Sequence, residues 1–259
     1  MSGKTAEFEQ LFNEHYIKVY KLAMGLAGND KDAEEITQEA FIRAFRYYHT
    51  FSRESSFFTW IYRITLNVAH DFLKQRTKPP INVLIEDLGY PIEQIIDPDP
   101  ANDPETVVLA NELRFKCLHC FTECLPPRQR QVFCLVLILG LSYKETAEIL
   151  DCSLGVVKVT LHRGKSRVVG YLEDRCQLVK KSNPCNCRQW VRLALSQGWL
   201  SKKDLANPRP TITPQFQEEI VNLETLRSIY QNLYPETIDK ALTQRIKQGI
   251  KNKEWTIFS

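Results

Sequence analysis

The chain has 259 residues, room for one large or two small domains, and its 43% hydrophobic and 25% charged side chains are those of an ordinary globular protein. The formal net charge of +3 is unevenly spread: residues 1–76 are neutral, 77–111 carry −6, 112–172 carry +4 and 173–259 carry +5. No apolar run approaches the ~20 residues of a membrane span, and the start of the chain lacks the basic-then-apolar pattern of a secretory signal. The expectation is a cytoplasmic chain without membrane contact, whose eight cysteines are thiols or metal ligands rather than a disulfide framework.

In chain order, Phe8, Leu11, Phe12, Tyr16, Val19, Tyr20, Ala23 and Leu26 recur at helical spacing, and Gly28-Asn29 ends that helix. Asp30 is the expected cap of the next helix, where Ala33, Ile36, Ala40, Phe41, Ala44 and Phe45 form one apolar stripe. Glu35, Gln38 and Glu39 lie off that stripe, on an acidic face that is either simply solvated or a docking surface. Residues 50–56 form a polar loop. A third helix follows over 57–76, with Trp60, Ile61, Ile64, Val68 and Phe72 inward and Arg63, Asn67, Asp71, Lys74, Gln75 and Arg76 outward. Basic and amide groups beside aromatic rings suit unstacked single-stranded DNA, and equally describe an ordinary amphipathic helix.

Residues 77–111 read as an acidic linker kept extended by Pro79, Pro80, Pro91, Pro98, Pro100 and Pro104. Cys117, Cys120 and Cys124 then share a helix with His119. That spacing can hold a metal, though cysteines on a helical stripe also serve as small buried apolar groups. Val132–Leu141 is an apolar run of buried-helix length.

Residues 142–168 carry the strongest signal. Ser142 and Glu145 have capping-box spacing. Ala147, Ile149 and Leu150 make the apolar side of a short helix, and Asp151-Cys152 is a turn. Ser153 is a natural cap for a second helix that buries Leu154, Val157 and Leu161. Lys158, His162, Arg163 and Lys165 fall mainly on its outer side. A capped basic helix held out on a helix-turn-helix can enter a DNA major groove; the competing reading is a helical hairpin with a solvated basic face.

Beyond it, Cys176, Cys185 and Cys187, with Asn183-Pro184 as a turn, can either wrap a tetrahedral thiophilic ion such as zinc or mark a plain structural turn. A fourth ligand would have to come from elsewhere: Cys152, His162, another distant residue or water. A short helix over 188–197, a Pro-marked linker and two amphipathic helices over 215–233 and 236–252 complete the chain. The last ~45 residues are too few to be stable alone. They are expected to dock, first on the protein's own helical modules, otherwise on a larger partner.

The segments DAEEITQEAFIRAFRYYHTF, FFTWIYRITLNVAHDFLKQR and LPPRQRQVFCLVLILGLSYKETAEILDCSLGVVKVTLHRGKSRV agree in order and spacing with bacterial sigma-70-family sigma factors. More narrowly, the chain resembles the extracytoplasmic-function (ECF) group, which keeps only regions 2 and 4; the resemblance covers about residues 7–172. It implies an all-α fold: region 2 at 1–76, an acidic linker at 77–111, region 4 at 112–172, a cysteine-containing segment at 173–210 and a helical, candidate regulatory tail at 211–259. It further implies that Glu35, Gln38 and Glu39 meet the clamp helices of core RNA polymerase, with the polymerase flap a further contact. Ser52 and Arg53 would lie in the loop that captures a flipped base, and Arg63, Asn67, Asp71 and Lys74 would face the melted −10 strand. Ser153, Lys158, Val159, His162, Arg163 and Lys165 would meet the −35 duplex.

Val159 and Thr160 depart from the small polar residue and the arginine of many relatives, so the resemblance implies DNA binding but does not carry over a preferred −35 sequence. A valine can touch a thymine methyl where a bidentate base contact is lost. The acidic linker resembles the segment threading toward the polymerase active site, its charge standing in for RNA. The resemblance also implies promoter DNA as partner, an anti-sigma factor or the chain's own extension as regulator, no required cofactor beyond the candidate zinc, and no enzymatic activity. The alternative is a one-component helix-turn-helix regulator acting without core polymerase.

Overall fold

The computed structural model describes residues 2–51, 56–74, 97–100, 103–177, 179–206, 223–232 and 240–252. Among them all extended regular structure is helical, apart from one isolated bridge between Cys176 and Cys185. The chain forms two compact units. The first takes Met1–Thr77, Pro126–Arg163 and Arg227–Ser259; the second takes Lys78–Leu125 and Gly164–Leu226.

In the first unit, α1 (Ser2–Ala27), α2 (Asp30–Tyr47) and α3 (Phe57–Lys74) pack on one another. Their apolar stripes close over Phe8, Phe12, Val19, Leu22, Ile36, Phe41 and Ile61, all at 0% exposure. Phe8 meets Phe45, Tyr48 and Phe57 edge-on, an arrangement that aligns ring edges with ring faces. The cap of α2 is Asn29 rather than Asp30: its side chain accepts from the Asp32 amide, and Asp30 becomes the first helical residue. That frees the Asp30 carboxylate to accept from the Tyr20 hydroxyl at 3.0 Å.

The apolar run begins in α5 (Pro127–Phe133) and continues as a π-helical turn, Cys134–Ile138. A helix apolar on every side must be buried on every side, and residues 132–137 are all at 0% exposure. The wider turn ends where the Leu139 amide donates to the Cys134 carbonyl, and Gly140 follows at φ +71°. Then come α6 (Tyr143–Ile149) and α7 (Leu154–Arg175), the helix-turn-helix. Helices α9 (Leu223–Asn232) and α10 (Lys240–Asn252) supply the tail, and α10 packs on α2.

In the second unit, α4 (Pro104–Glu123) packs against α8 (Cys187–Ser196). Leu109, Ala110, Val191, Ala194 and Leu200 form a small core there. The expected linker therefore ends sooner than position 111. Pro104, read as an extended-chain residue, is the first residue of α4, where its missing amide costs nothing and Asp103 caps the helix. Asp97 is also held: its amide donates to the Gln189 carbonyl, and its carboxylate pairs with Arg192 at 3.3 Å. Residues 77–96 of the expected linker lie outside the described residues.

Candidate nucleic-acid interface

The helix-turn-helix is built as its sequence dictates. Ser142 accepts from the Glu145 amide at 3.2 Å, while the Glu145 carboxylate accepts from the Ser142 amide at 2.8 Å, so the box is reciprocal. These bonds hold the Glu145 carboxyl below its ordinary range. Asp151 takes φ +48° in the turn. The Ser153 hydroxyl accepts from the Val156 amide at 3.4 Å at the start of α7.

Val157 and Leu161 are buried as expected, at 0% and 3%, but Leu154 is 48% exposed. It lies in the first turn of α7, beyond the reach of the core, beside Val156 and Val159, themselves 45% and 50% exposed. Lys158, His162 and Arg163 are exposed on the same helix, and Lys165 is half-buried. The outer face of α7 is thus a basic surface with an apolar leading end. Cations there suit phosphates, and methyl-bearing side chains suit thymine methyls.

On α3, Arg63, Asn67, Asp71 and Lys74 are all exposed. Arg63 has a second partner set: it donates to the Glu148 carbonyl at 2.6 Å and the Ile149 carbonyl at 3.2 Å. Thr59 Oγ1 donates to the Glu148 carboxylate at 3.0 Å, and Arg128 donates to the Leu150 carbonyl at 3.0 Å. Carbonyls at the end of α6 are therefore held by two guanidinium groups, a favourable place for cations.

On α2, Glu35 is exposed, while Gln38 and Glu39 are half-buried. Arg43 joins two of the expected surfaces, pairing with Glu39 at 2.6 Å and with Asp71 at 3.6 Å. Ser52 and Arg53 lie outside the described residues.

Two family models match: Sigma-70 region 2 over residues 11–78 and Sigma-70 region 4 over residues 115–168. The ECF RNA polymerase sigma factor SigE of Mycolicibacterium smegmatis is 35% identical over 166 residues, 64% of this chain and 61% of that protein. The ECF RNA polymerase sigma-E factor of Escherichia coli K12 is 34% identical over 144 residues, 53% of this chain and 72% of that protein. The chain belongs to the ECF RNA polymerase sigma factors. The match spans about three fifths of the length of the Mycolicibacterium relative. Among solved structures, CnrH in complex with the cytosolic domain of CnrY is similar at 20% identity and TM-score 0.48, over 66% of this chain and 91% of that one.

In this sigma factor the cysteine segment after region 4 folds into a tight knuckle. Cys176 and Cys185 form a parallel bridge, and the Gln177 amide donates to the Cys185 carbonyl at 3.0 Å. The amides of Val179 and Lys180 turn back onto the Cys176 carbonyl. Asn183, 8% exposed, closes the loop by donating to the carbonyls of Glu173 at 2.7 Å and Cys176 at 3.0 Å. Cys187 opens α8 and packs against the small core beside α4.

The sequence grouped Cys117 with its own helix neighbours. In the structure Cys117 also lies within electrostatic range of Cys187, Cys185 and Cys176. Burial raises the Cys117 thiol well above its ordinary value and pushes Cys187 up to about 12. No spacing rule brings α4 to α8; the tertiary packing does.

Proposed function

We propose that this chain is a dissociable promoter-recognition subunit of RNA polymerase that works in the cytoplasm by binding rather than catalysis. The observation that carries the reading is the capped helix-turn-helix with Lys158, Val159, His162 and Arg163 exposed on one helix. Region 4 reads the −35 duplex with that face, and region 2 reads the melted −10 strand with Asn67, Asp71 and Lys74. Glu35 and Gln38 meet the polymerase clamp. A base must leave the duplex before its Watson–Crick edge can be read, so the second contact follows melting, which the polymerase assists.

The test is run-off transcription with core polymerase, paired with promoter binding at several salt concentrations. Arg163→Ala should lower transcription from −35-dependent promoters and, as the loss of one phosphate contact, reduce the salt slope by about one unit. Unchanged transcription and slope would remove Arg163 from the groove. Promoter duplex bound as tightly without core as with it would favour the one-component regulator.

The tail is the chain's own regulator in this reading. Ile246 on α10 is at 0% exposure, Arg245 approaches Glu34 at 3.5 Å, and Lys247 lies 5.9 Å from the centre of the Phe12 ring. Tyr230 on α9 meets Phe133 edge-on at 4.8 Å, and Arg227 donates to the Val136 carbonyl. These contacts support self-docking beside the clamp-facing residues of α2.

A further inference from the structure

We propose that Cys176 and Cys185 are a reversible dithiol–disulfide couple, a site of two-electron oxidation by a peroxide that staples the knuckle after α7. An isolated parallel bridge joins the two, and the Gln177 amide donates to the Cys185 carbonyl at 3.0 Å. Residues paired across such a bridge stand about 4.8 Å apart and present their side chains to the same face. A disulfide needs Cα atoms about 4.4–6.8 Å apart and side chains that do not point away from each other. The pair meets that backbone condition. Only rotation about each cysteine's single χ angle is left to bring the sulfurs together.

The loop between them holds that approach in place. The amides of Val179 and Lys180 donate to the Cys176 carbonyl at 3.0 and 3.1 Å, and the Asn183 amide donates to the Lys180 carbonyl at 2.9 Å. The Asn183 side chain, buried, ties the loop to the carbonyls of Glu173 and Cys176. Both cysteines are half-buried, within reach of a small oxidant, whereas Cys134 is fully buried. Cys187, two residues on, packs against the α4–α8 core instead. Both members of the pair are thiols in this structure. A couple that rests reduced and is oxidised transiently is the usual form of a disulfide in a reducing compartment.

In the first step one thiolate sulfur attacks hydrogen peroxide. The O–O bond breaks, leaving a sulfenic acid and one water. The second thiol then attacks that sulfur: the S–O bond breaks, the S–S bond forms and the oxygen leaves as a second water. Two thiols and one hydrogen peroxide thus give one disulfide and two waters, and the sulfurs lose the two electrons that the peroxide gains. A dithiol reductant returns both thiols by exchange. The closed ring links the residue after α7 to the segment that opens α8.

The experiment treats the reduced, purified full-length chain with stoichiometric hydrogen peroxide and maps its tryptic peptides, unreduced, by mass spectrometry. Lys180 and Lys181 lie between the two cysteines, so trypsin separates their peptides, and fragmentation distinguishes Cys185 from Cys187. The expected result is a linked pair joining Cys176 to Cys185, two hydrogens lighter than the separate peptides, which dithiothreitol parts. Cys185→Ser should abolish the link and Cys187→Ser should keep it. In the oxidised chain the amides of Gln177, Val179, Lys180 and Asn183 should exchange with solvent more slowly, and dithiothreitol should restore their rate. The same treatment in urea should form the link more slowly, since only the fold holds the pair together. No link, a link through Cys187 in place of Cys185, or equal rates in the folded and the unfolded chain would each overturn the couple. None of these readouts involves polymerase or DNA, so the result stands apart from the transcriptional reading.

Discussion

Single residues set the close approaches in this molecule. Gly25 on α1 faces the π-helical turn: a Cβ placed there would lie 2.6 Å from Ile138 Cδ1 and 3.0 Å from Cys134 Sγ. Both neighbours are buried. Gly25→Ala should therefore destabilise the protein by about 1–3 kcal/mol, the usual cost of overpacking a full core, read as a lower denaturation midpoint in urea. Wild-type stability in that variant would mean that α1 and the turn can part freely. The core aromatic residues and the exposed basic residues of α7 were legible from spacing alone. The double role of Arg63 was not: an exposed cation on an amphipathic helix reads the same whether its partner is a phosphate or the carbonyls ending another helix.

At the scale of an element, the helix-turn-helix is the part most completely written in local sequence, because caps and turns depend on residues three or four apart. Its capping box has a pH signature. The Ser142 bonds hold the folded Glu145 pKa below its unfolded value of about 4.3. Glu145 therefore contributes stability that is fully present above that value and is lost as the pH falls through the lower, folded one. The stability difference between wild type and Glu145→Ala, measured by urea denaturation, should be constant above about pH 5 and shrink toward pH 3. A difference that persists undiminished at pH 3 would mean that the carboxylate charge is not what closes the box. Helix α4 shows the opposite case. Pro104 among other prolines reads as linker, yet a proline at a helix start is favourable, and Asp103 together with burial of Leu109 and Ala110 carries the helix back to it.

At the scale of the whole molecule, the tail helix α10 packs on α2. The covering helix α10 rests on Ile246, and a buried carboxylate there would be expelled. Ile246→Asp should release α10 and tighten binding to core polymerase. Full burial of an Ile-sized side chain is worth about 1.5–3 kcal/mol, so the gain should be on the order of tenfold or more where docking and polymerase compete. It would be measured by titrating labelled core with full-length protein. Unchanged affinity would show that α10 does not compete with the clamp, and weaker affinity would make the tail a support rather than a restraint.

The sequence by itself determined the helices, the capping box, the basic face of α7 and the likeness to regions 2 and 4. These follow from apolar periodicity and short-range capping, which act within a few residues. It also marked the cysteine segment and an amphipathic tail in need of a partner. Only the tertiary structure decided where those faces go: α10 on α2, Tyr230 on Phe133, Arg63 on the end of α6, and α4 on α8. The reason is physical. An apolar stripe or a thiol states what it must be shielded from or paired with, but many distant surfaces can meet that demand, and the packing of the assembled core selects one.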